Sequence, residues 1–193
     1  MASASVPYLT PEQYLEIECQ AEFRREYLHG EMFAMTGASL QHARIVSRTS
    51  NELGLAVRGR NCDVLTTDMR VHVPATGLYT CPDVMVTCGP VKLQDKHQDI
   101  LLNPILIVEV LSPSTMNYDS GEKFRHYRSI PSFREYLLLA QHEIRAEHHV
   151  RQPDGSWVFR EYSGATDVVR LESIDCALAL ALVYERMEFP PAT

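Results

Sequence analysis

The sequence predicts an α/β protein of the α+β kind, with many short strands, a few helices and one strand lying at the centre. Three observations predict it. The stretch Pro104 to Thr115, PILIVEVLSPST, is an Ile- and Val-rich run stopped by turn residues, as a buried central strand is. Between Ser39 and Val57 apolar and small residues recur at threes and fours, the period of an amphipathic helix. Elsewhere, short β-prone runs are punctuated by Gly, Pro and Asp. The 193 residues fit one domain spanning 1–193. A domain of that size buries about 70% of the surface its unfolded chain exposes.

In chain order, Thr10, Pro11 and Glu12 supply an N-cap, a first-turn proline and a first-turn acid ahead of Tyr14, Leu15, Ile17 and Glu18, so a short helix starts there. Glu26 to Leu28 and Met32 to Met35 flank His29-Gly30 as the arms of a hairpin whose turn uses the glycine. The longest helix, Ser39 to Val57, covers one sheet face, with Ala43, Val46, Ser50, Leu53 and Val57 inward and Arg44, Arg48 and Glu52 on another stripe. Asp63 to Leu65 and Met69 to Val73 read as strands joined by a turn, and Pro82 to Thr87 as a strand opened by Asp83 and stopped by Gly89-Pro90. Polar Val91 to Asn103 reads as a surface loop. Tyr118 to Ser129 forms a helix, with Asp119 as N-cap, Glu122 three residues on, and Pro131 ending it. Glu135 to Ala140, Ile144 to Val150 and Trp157 to Tyr162 are strands, the last two joined through Gln152-Pro153-Asp154-Gly155. Ala177 to Glu185 suits a final helix or an apolar strand.

Composition narrows the function. Eighteen basic against 25 acidic residues give a net charge of −7, the wrong sign for a protein held on nucleic acid by bulk charge, so any DNA contact must be local. The five cysteines are odd in number and lack a CxxC pair, which argues against a disulfide framework and a structural zinc site and for a reducing, cytoplasmic setting. MASASVPYLTPEQ has neither a basic nor an apolar export region, and no apolar run is long enough to span a membrane. A soluble, unexported protein is expected.

The chemistry centres on Glu109. Strand alternation puts Ile107, Glu109 and Leu111 on one face and Leu106, Val108 and Val110 on the other, so neither face is a solvent face and Glu109 is buried. An unpaired ionised carboxylate there costs several kcal/mol, so an internal arginine or a metal must meet it. Asp83, 26 positions earlier, opens a neighbouring strand and meets Glu109 if the two strands pair. Converging carboxylates raise each other's pKa unless a hard divalent cation binds between them. Their oxygens, with the Val110 carbonyl as a third donor, suit Mg²⁺ or Mn²⁺. Lys123, one turn into the following helix, is placed to point back across the end of this strand, with Tyr127 on the same face at i+4. The commoner fate of such a lysine is solvation, in which case replacing it by alanine shifts stability by less than about 0.5 kcal/mol. His148 and His149 point opposite ways from one strand and read as surface.

YTCPDVMV, NPILIVEVLSPST, the Asp119-Ser-Gly-Glu-Lys-Phe run with Tyr127, and IPSFREYLLL resemble the Uma-type restriction endonuclease family, within the PD-(D/E)XK nuclease superfamily. The likeness extends upstream to REYLHGEMFAMTGAS and His42 and downstream to GSWVFREY and VVRLES. It implies a restriction-endonuclease-like mixed β-sheet flanked by helices, carrying a magnesium-dependent phosphodiesterase centre. Asp83 matches the signature Asp and Glu109 the signature acid; Leu111 stands where the superfamily has lysine, and Lys123 is the displaced lysine of this family. Glu31, His42 and Asp119 match further family positions, although Asp119 also suits a simple cap. The expected activity is metal-assisted hydrolysis of phosphodiester bonds in nucleic acid, DNA first, with local contacts from Arg44, Arg48, Arg125, Arg128 and Arg134. A duplex cutter built on one small centre is expected to be a homodimer. The rival reading is an idle nuclease fold serving nucleic-acid binding or assembly, which metal-dependent cleavage distinguishes. A glycosidase-like acid–base pair is disfavoured by one Trp and 8% aromatic residues.

Overall fold

The computed structural model describes residues 8–35, 37–94, 98–112 and 115–189. Residues 1–7 of the N-terminal stretch, and Pro113 and Ser114 of the turn after the Glu109 strand, lie outside the described residues. Thr10 caps α1 (Pro11–Cys19) in the expected way: its hydroxyl accepts from the Gln13 N–H while its own N–H donates to the Gln13 side chain. β1 (Arg25–Leu28) and β2 (Glu31–Ala34) form the hairpin, with His29 and Gly30 both at positive φ. Ser39 caps α2 (Leu40–Ala56) through the His42 N–H. Then come β3 (Cys62–Thr66), β4 (Arg70–Val73), β5 (Leu78–Thr80), β6 (Val84–Cys88), β7 (Ile100–Leu101) and β8 (Leu106–Leu111). A π-helical turn (Tyr118–Lys123) runs directly into α3 (Phe124–Tyr127). The remainder is β9 (Glu135–Ala140), β10 (Ala146–Arg151), β11 (Trp157–Tyr162), β12 (Val168–Leu171), β13 (Cys176–Ala179) and α4 (Leu180–Val183).

β8 is buried along its whole length, inside a mixed six-stranded sheet of order β11-β10-β9-β8-β6-β3. The expected alternation holds. Ile107 and Leu111 pack with Val71, Val73 and Leu78 of a second, five-stranded sheet of order β2-β1-β5-β4-β7. Leu106, Val108 and Val110 pack with Ile45 and Leu53 of α2 and with Leu178 and Val183 near the chain's end. Each such side chain contributes about 1.5–3 kcal/mol on burial, so both faces of β8 anchor the fold. β8 pairs antiparallel with β6 (Val84 opposite Val108) and parallel with β9 (Val108 opposite Leu137). A parallel neighbour needs a crossover, and the π-helical turn with α3 supplies it. That crossover carries Lys123 back over β8.

Several expectations are corrected. Of the residues expected inward on α2, Leu53 and Val57 are buried and Val46 packs against the core, but Ala43 is exposed, and Ile45 and Thr49, outside the expected set, are fully buried because the inward stripe widens toward the start of the helix. β3 and β4 do not form a hairpin, because β3 pairs with β6 and β4 with β5 and β7 in the other sheet. The polar stretch before Asn103 contains β7, whose Ile100 and Leu101 are fully buried. The final apolar segment is both of the alternatives in turn, a strand and then one helical turn. Cys62 and Cys88 form a disulfide; they are register partners of β3 and β6, a proximity that spacing along the chain does not reveal. His148 is fully buried beside Glu135 (3.2 Å), and the His149 ring lies 4.5 Å from that of Phe124, because β10 is an interior strand. No described helix is long and apolar enough to cross a membrane.

Candidate functional site

Because β6 and β8 run antiparallel side by side, Asp83, just ahead of β6, comes level with Glu109 and Val110 near the far end of β8. The two carboxylates are tied together through the backbone. The Asp83 N–H donates to Glu109 Oε2 (3.3 Å) and the Val110 N–H donates to Asp83 Oδ2 (2.8 Å). In an extended strand the N–H and C=O of one residue face the same neighbour, so the Val110 carbonyl looks toward the Asp83 side as well. The other oxygen of Asp83, Oδ1, meets His42 Nε2 of α2 at 3.0 Å.

Glu109 Oε1 is held from the opposite side by the Lys123 ammonium (3.2 Å) and the Tyr127 hydroxyl (3.0 Å). Lys123 is buried, not solvated. Its Nζ also meets Glu26 Oε1 (2.9 Å) and Asp119 Oδ1 (3.2 Å), so three carboxylates share one ammonium. Asp119 is therefore not a cap: the N-cap position of this turn falls at Asn117, which makes no side-chain capping bond, and Asp119 is buried against Lys123. The wide π-helical turn sets Asp119 and Lys123, four residues apart, on the same inward side.

Glu26 is the participant that sequence reasoning missed. It sits on β1 with its carboxylate bonded to the Thr80 hydroxyl as well as to Lys123, and it is only 7% exposed. Its signal was present, a carboxylate sharing one strand face with Leu28, but in a four-residue hairpin arm it reads as solvent-facing. Glu31, opposite Leu28 on β2, is exposed and does not line the cleft. Nor do Arg44, Arg48, Arg125, Arg128 or Arg134; the arginine that does is Arg24.

These groups form the floor of a cleft of about 910 Å³ whose walls come from β1, β2, the start of α2, and the π-helical turn. The charges do not balance. Glu26, Asp83, Glu109 and Asp119 surround Lys123, with His42 as a further titratable partner. Burial, and then the charges of Asp119, Asp83 and Glu26, push the Glu109 pKa up to about 8 against the pull of Lys123. Burial also raises Asp119. For Lys123, burial disfavours the charged form, but Glu109, Glu26 and Asp119 outweigh it and hold the ammonium protonated well above its ordinary range. His42 follows the same logic: Asp83 and then Asp119 overcome burial and raise it.

Among the described residues no three His, Cys, Asp or Glu side chains converge as a ready-made metal cage. The donor set fits a different kind of ion: hard, oxygen-seeking, keeping several waters, and bringing the positive charge that the cleft lacks. Asp83, Glu109 and the Val110 carbonyl are the groups that would hold it.

The mixed sheet thus sets two strand-paired carboxylates at a cleft floor beside a buried lysine that its neighbours hold protonated. The family model described as "Uma2: Putative restriction endonuclease" matches residues 11–182, and the chain belongs to that family. Two cyanobacterial relatives from Synechocystis sp. (strain ATCC 27184 / PCC 6803 / Kazusa) span nearly the same length. The uncharacterized protein slr1290 is 36% identical over 187 residues, covering 97% of each chain, and the uncharacterized protein sll1609 is 37% identical over 164 residues, covering 85% of this chain and 93% of its own. The fold is shared with a crystal structure described as a putative nuclease belonging to DUF820 from Anabaena variabilis ATCC 29413: TM-score 0.74, 15% identity, 91% of this chain and 97% of that one.

Proposed function

We propose that the protein is a divalent-metal-dependent endonuclease hydrolysing phosphodiester bonds of DNA, with Asp83, Glu109 and the Val110 carbonyl as metal ligands and Lys123 as the cation at the reacting phosphate. The observation that carries this reading is the antiparallel β6–β8 register, which sets Asp83 and Glu109 side by side on a cleft floor short of positive charge. Magnesium or manganese bound there supplies Lewis-acid polarisation of the phosphate and a lowered pKa for a bound water. The chain's own groups do the rest. Lys123 stays protonated, so it serves as a fixed positive charge for the developing anion and not as a base. Tyr127 and Lys123 hold one oxygen of Glu109 and leave the other on the Asp83 side, while His42 orients Asp83 from α2. Arg24 stands on the cleft wall, where Asp68 and Asp99 hold it.

Cleavage of DNA, tested on both single-stranded oligonucleotide and plasmid, is expected to require Mg²⁺ or Mn²⁺ and to stop in excess EDTA. Undiminished cleavage in chelator sinks the metal reading. A centre of this size cuts one strand at a time, and we propose a homodimer that presents two such centres. Light scattering at micromolar concentration is expected to give twice the 21.9 kDa chain mass, and a monomer mass counts against it.

A further inference from the structure

The cleft has one wall that its chemistry does not explain. On the outer strand β2, Phe33 is 45% exposed yet lines the cleft. It is the register partner of Glu26, so the two side chains stand on the same face of the hairpin, and Glu26 is the carboxylate closest to Lys123. Leu28, Ala34 and Met35 continue the same apolar wall. An exposed phenyl ring is an odd choice beside buried carboxylates, unless something flat and apolar comes to lie on it.

The opposite resource, positive charge for tracking phosphates, is scarce. Lys123 already meets three carboxylates, and Arg24 already reaches Asp99 (3.8 Å) and Asp68 (4.0 Å). Five carboxylates line the same cleft, those of Glu26, Asp83, Glu109, Asp119 and Glu122. Binding through backbone phosphates alone is therefore weak here, whereas base stacking on an aromatic ring tolerates any sequence and needs no cation. Size agrees. About 910 Å³ is the range of a site for one small ligand, enough for a nucleotide or two drawn in from the strand.

We propose that Phe33 is a stacking platform for an unpaired nucleobase next to the scissile bond, which makes single-stranded or locally unpaired nucleic acid the substrate class. The inference rests on the nuclease reading for the nature of the ligand. Phe33 is a specificity-determining residue that grips the base, while the carboxylate floor faces the adjoining phosphate.

The test is binding of a short single-stranded oligodeoxynucleotide with cleavage-resistant phosphorothioate linkages and a 2-aminopurine base, compared with its blunt duplex. The wild type is expected to quench the 2-aminopurine fluorescence and to bind the single strand more tightly than the duplex. Phe33→Ala is expected to weaken single-strand binding about 10-fold and to lose the quench, as removal of a stacking ring does. Phe33→Trp should keep both. Single-strand affinity unchanged in Phe33→Ala, or tighter binding of the duplex by the wild type, overturns the proposal. A parallel cleavage assay on unmodified DNA separates the two readings: if the binding results come out as expected and the wild type cleaves nothing, stacking stands and the nuclease reading falls.

Discussion

Glu109→Gln is expected to abolish metal-dependent cleavage and metal binding together. The substitution keeps the side chain's shape and removes the charge that would meet a divalent ion, an interaction of several kcal/mol, or about 10³-fold or more in rate. It also has a signature that needs no activity. Burial and three neighbouring carboxylates raise Glu109 from 4.5 to about 8, so the folded state holds this proton more tightly than the unfolded chain does. The stability from that proton is fully present below about pH 4.5 and is lost as the pH rises through about 8. The metal-free wild type is thus expected to melt progressively lower between those limits, and Glu109→Gln should flatten that slope. The lost hydrogen bond of the amide is the same at every pH and drops out of the comparison. A variant that cleaves normally, or that keeps the full pH slope, removes Glu109 from its assigned place.

Lys123→Ala is expected to reduce cleavage by roughly 10²-fold or more, the size of losing one charge-stabilising group. Contrary to what a solvated helix lysine would do, it should also destabilise the fold. It leaves Glu26, Glu109 and Asp119 buried without their shared cation, and breaking a buried pair by removing one partner costs about 3–5 kcal/mol. The loss should be largest near pH 8 and smaller near pH 5, where the stranded carboxylates can take up protons. Calorimetry at the two pH values reads this, and activity is then compared well below the variant's melting temperature. A folded Lys123→Ala that cleaves at the wild-type rate, while Glu109→Gln is inactive, places the lysine's role elsewhere.

The parts of this arrangement that the sequence made legible are those governed by strand period and simple pairing. Alternation alone sorted Ile107, Glu109 and Leu111 from Leu106, Val108 and Val110, and one antiparallel pairing then sufficed to join Asp83 to Glu109. What stayed hidden depends on register between distant segments. Glu26 reaches Lys123 only because β1 belongs to a second sheet packed over the first, and nothing local to REYL announces that. The Cys62–Cys88 pair is hidden for the same reason. β5, β7 and β12, of two to four residues each, are too short to display a period. The π-helical turn has no sequence code distinct from that of an ordinary helix, so Asp119 reads as a cap when the i, i+4 partner it meets is Lys123.

That turn makes the centre sensitive to chain length as well as to side-chain identity. A π turn accommodates one residue more than an α turn, and each residue advances a helix by about 100°. Deleting Gly121, which touches nothing within 4 Å on its Cβ side, would let Tyr118 to Lys123 tighten into an ordinary α turn. Every ionisable group would still be present, but Asp119 and Lys123 would move from i, i+4 to i, i+3 spacing, shifting the ammonium relative to the carboxylates it now meets. Among relatives that keep all the charged residues, a one-residue gap in this segment would therefore mark a chain whose centre has a different spacing and the same composition.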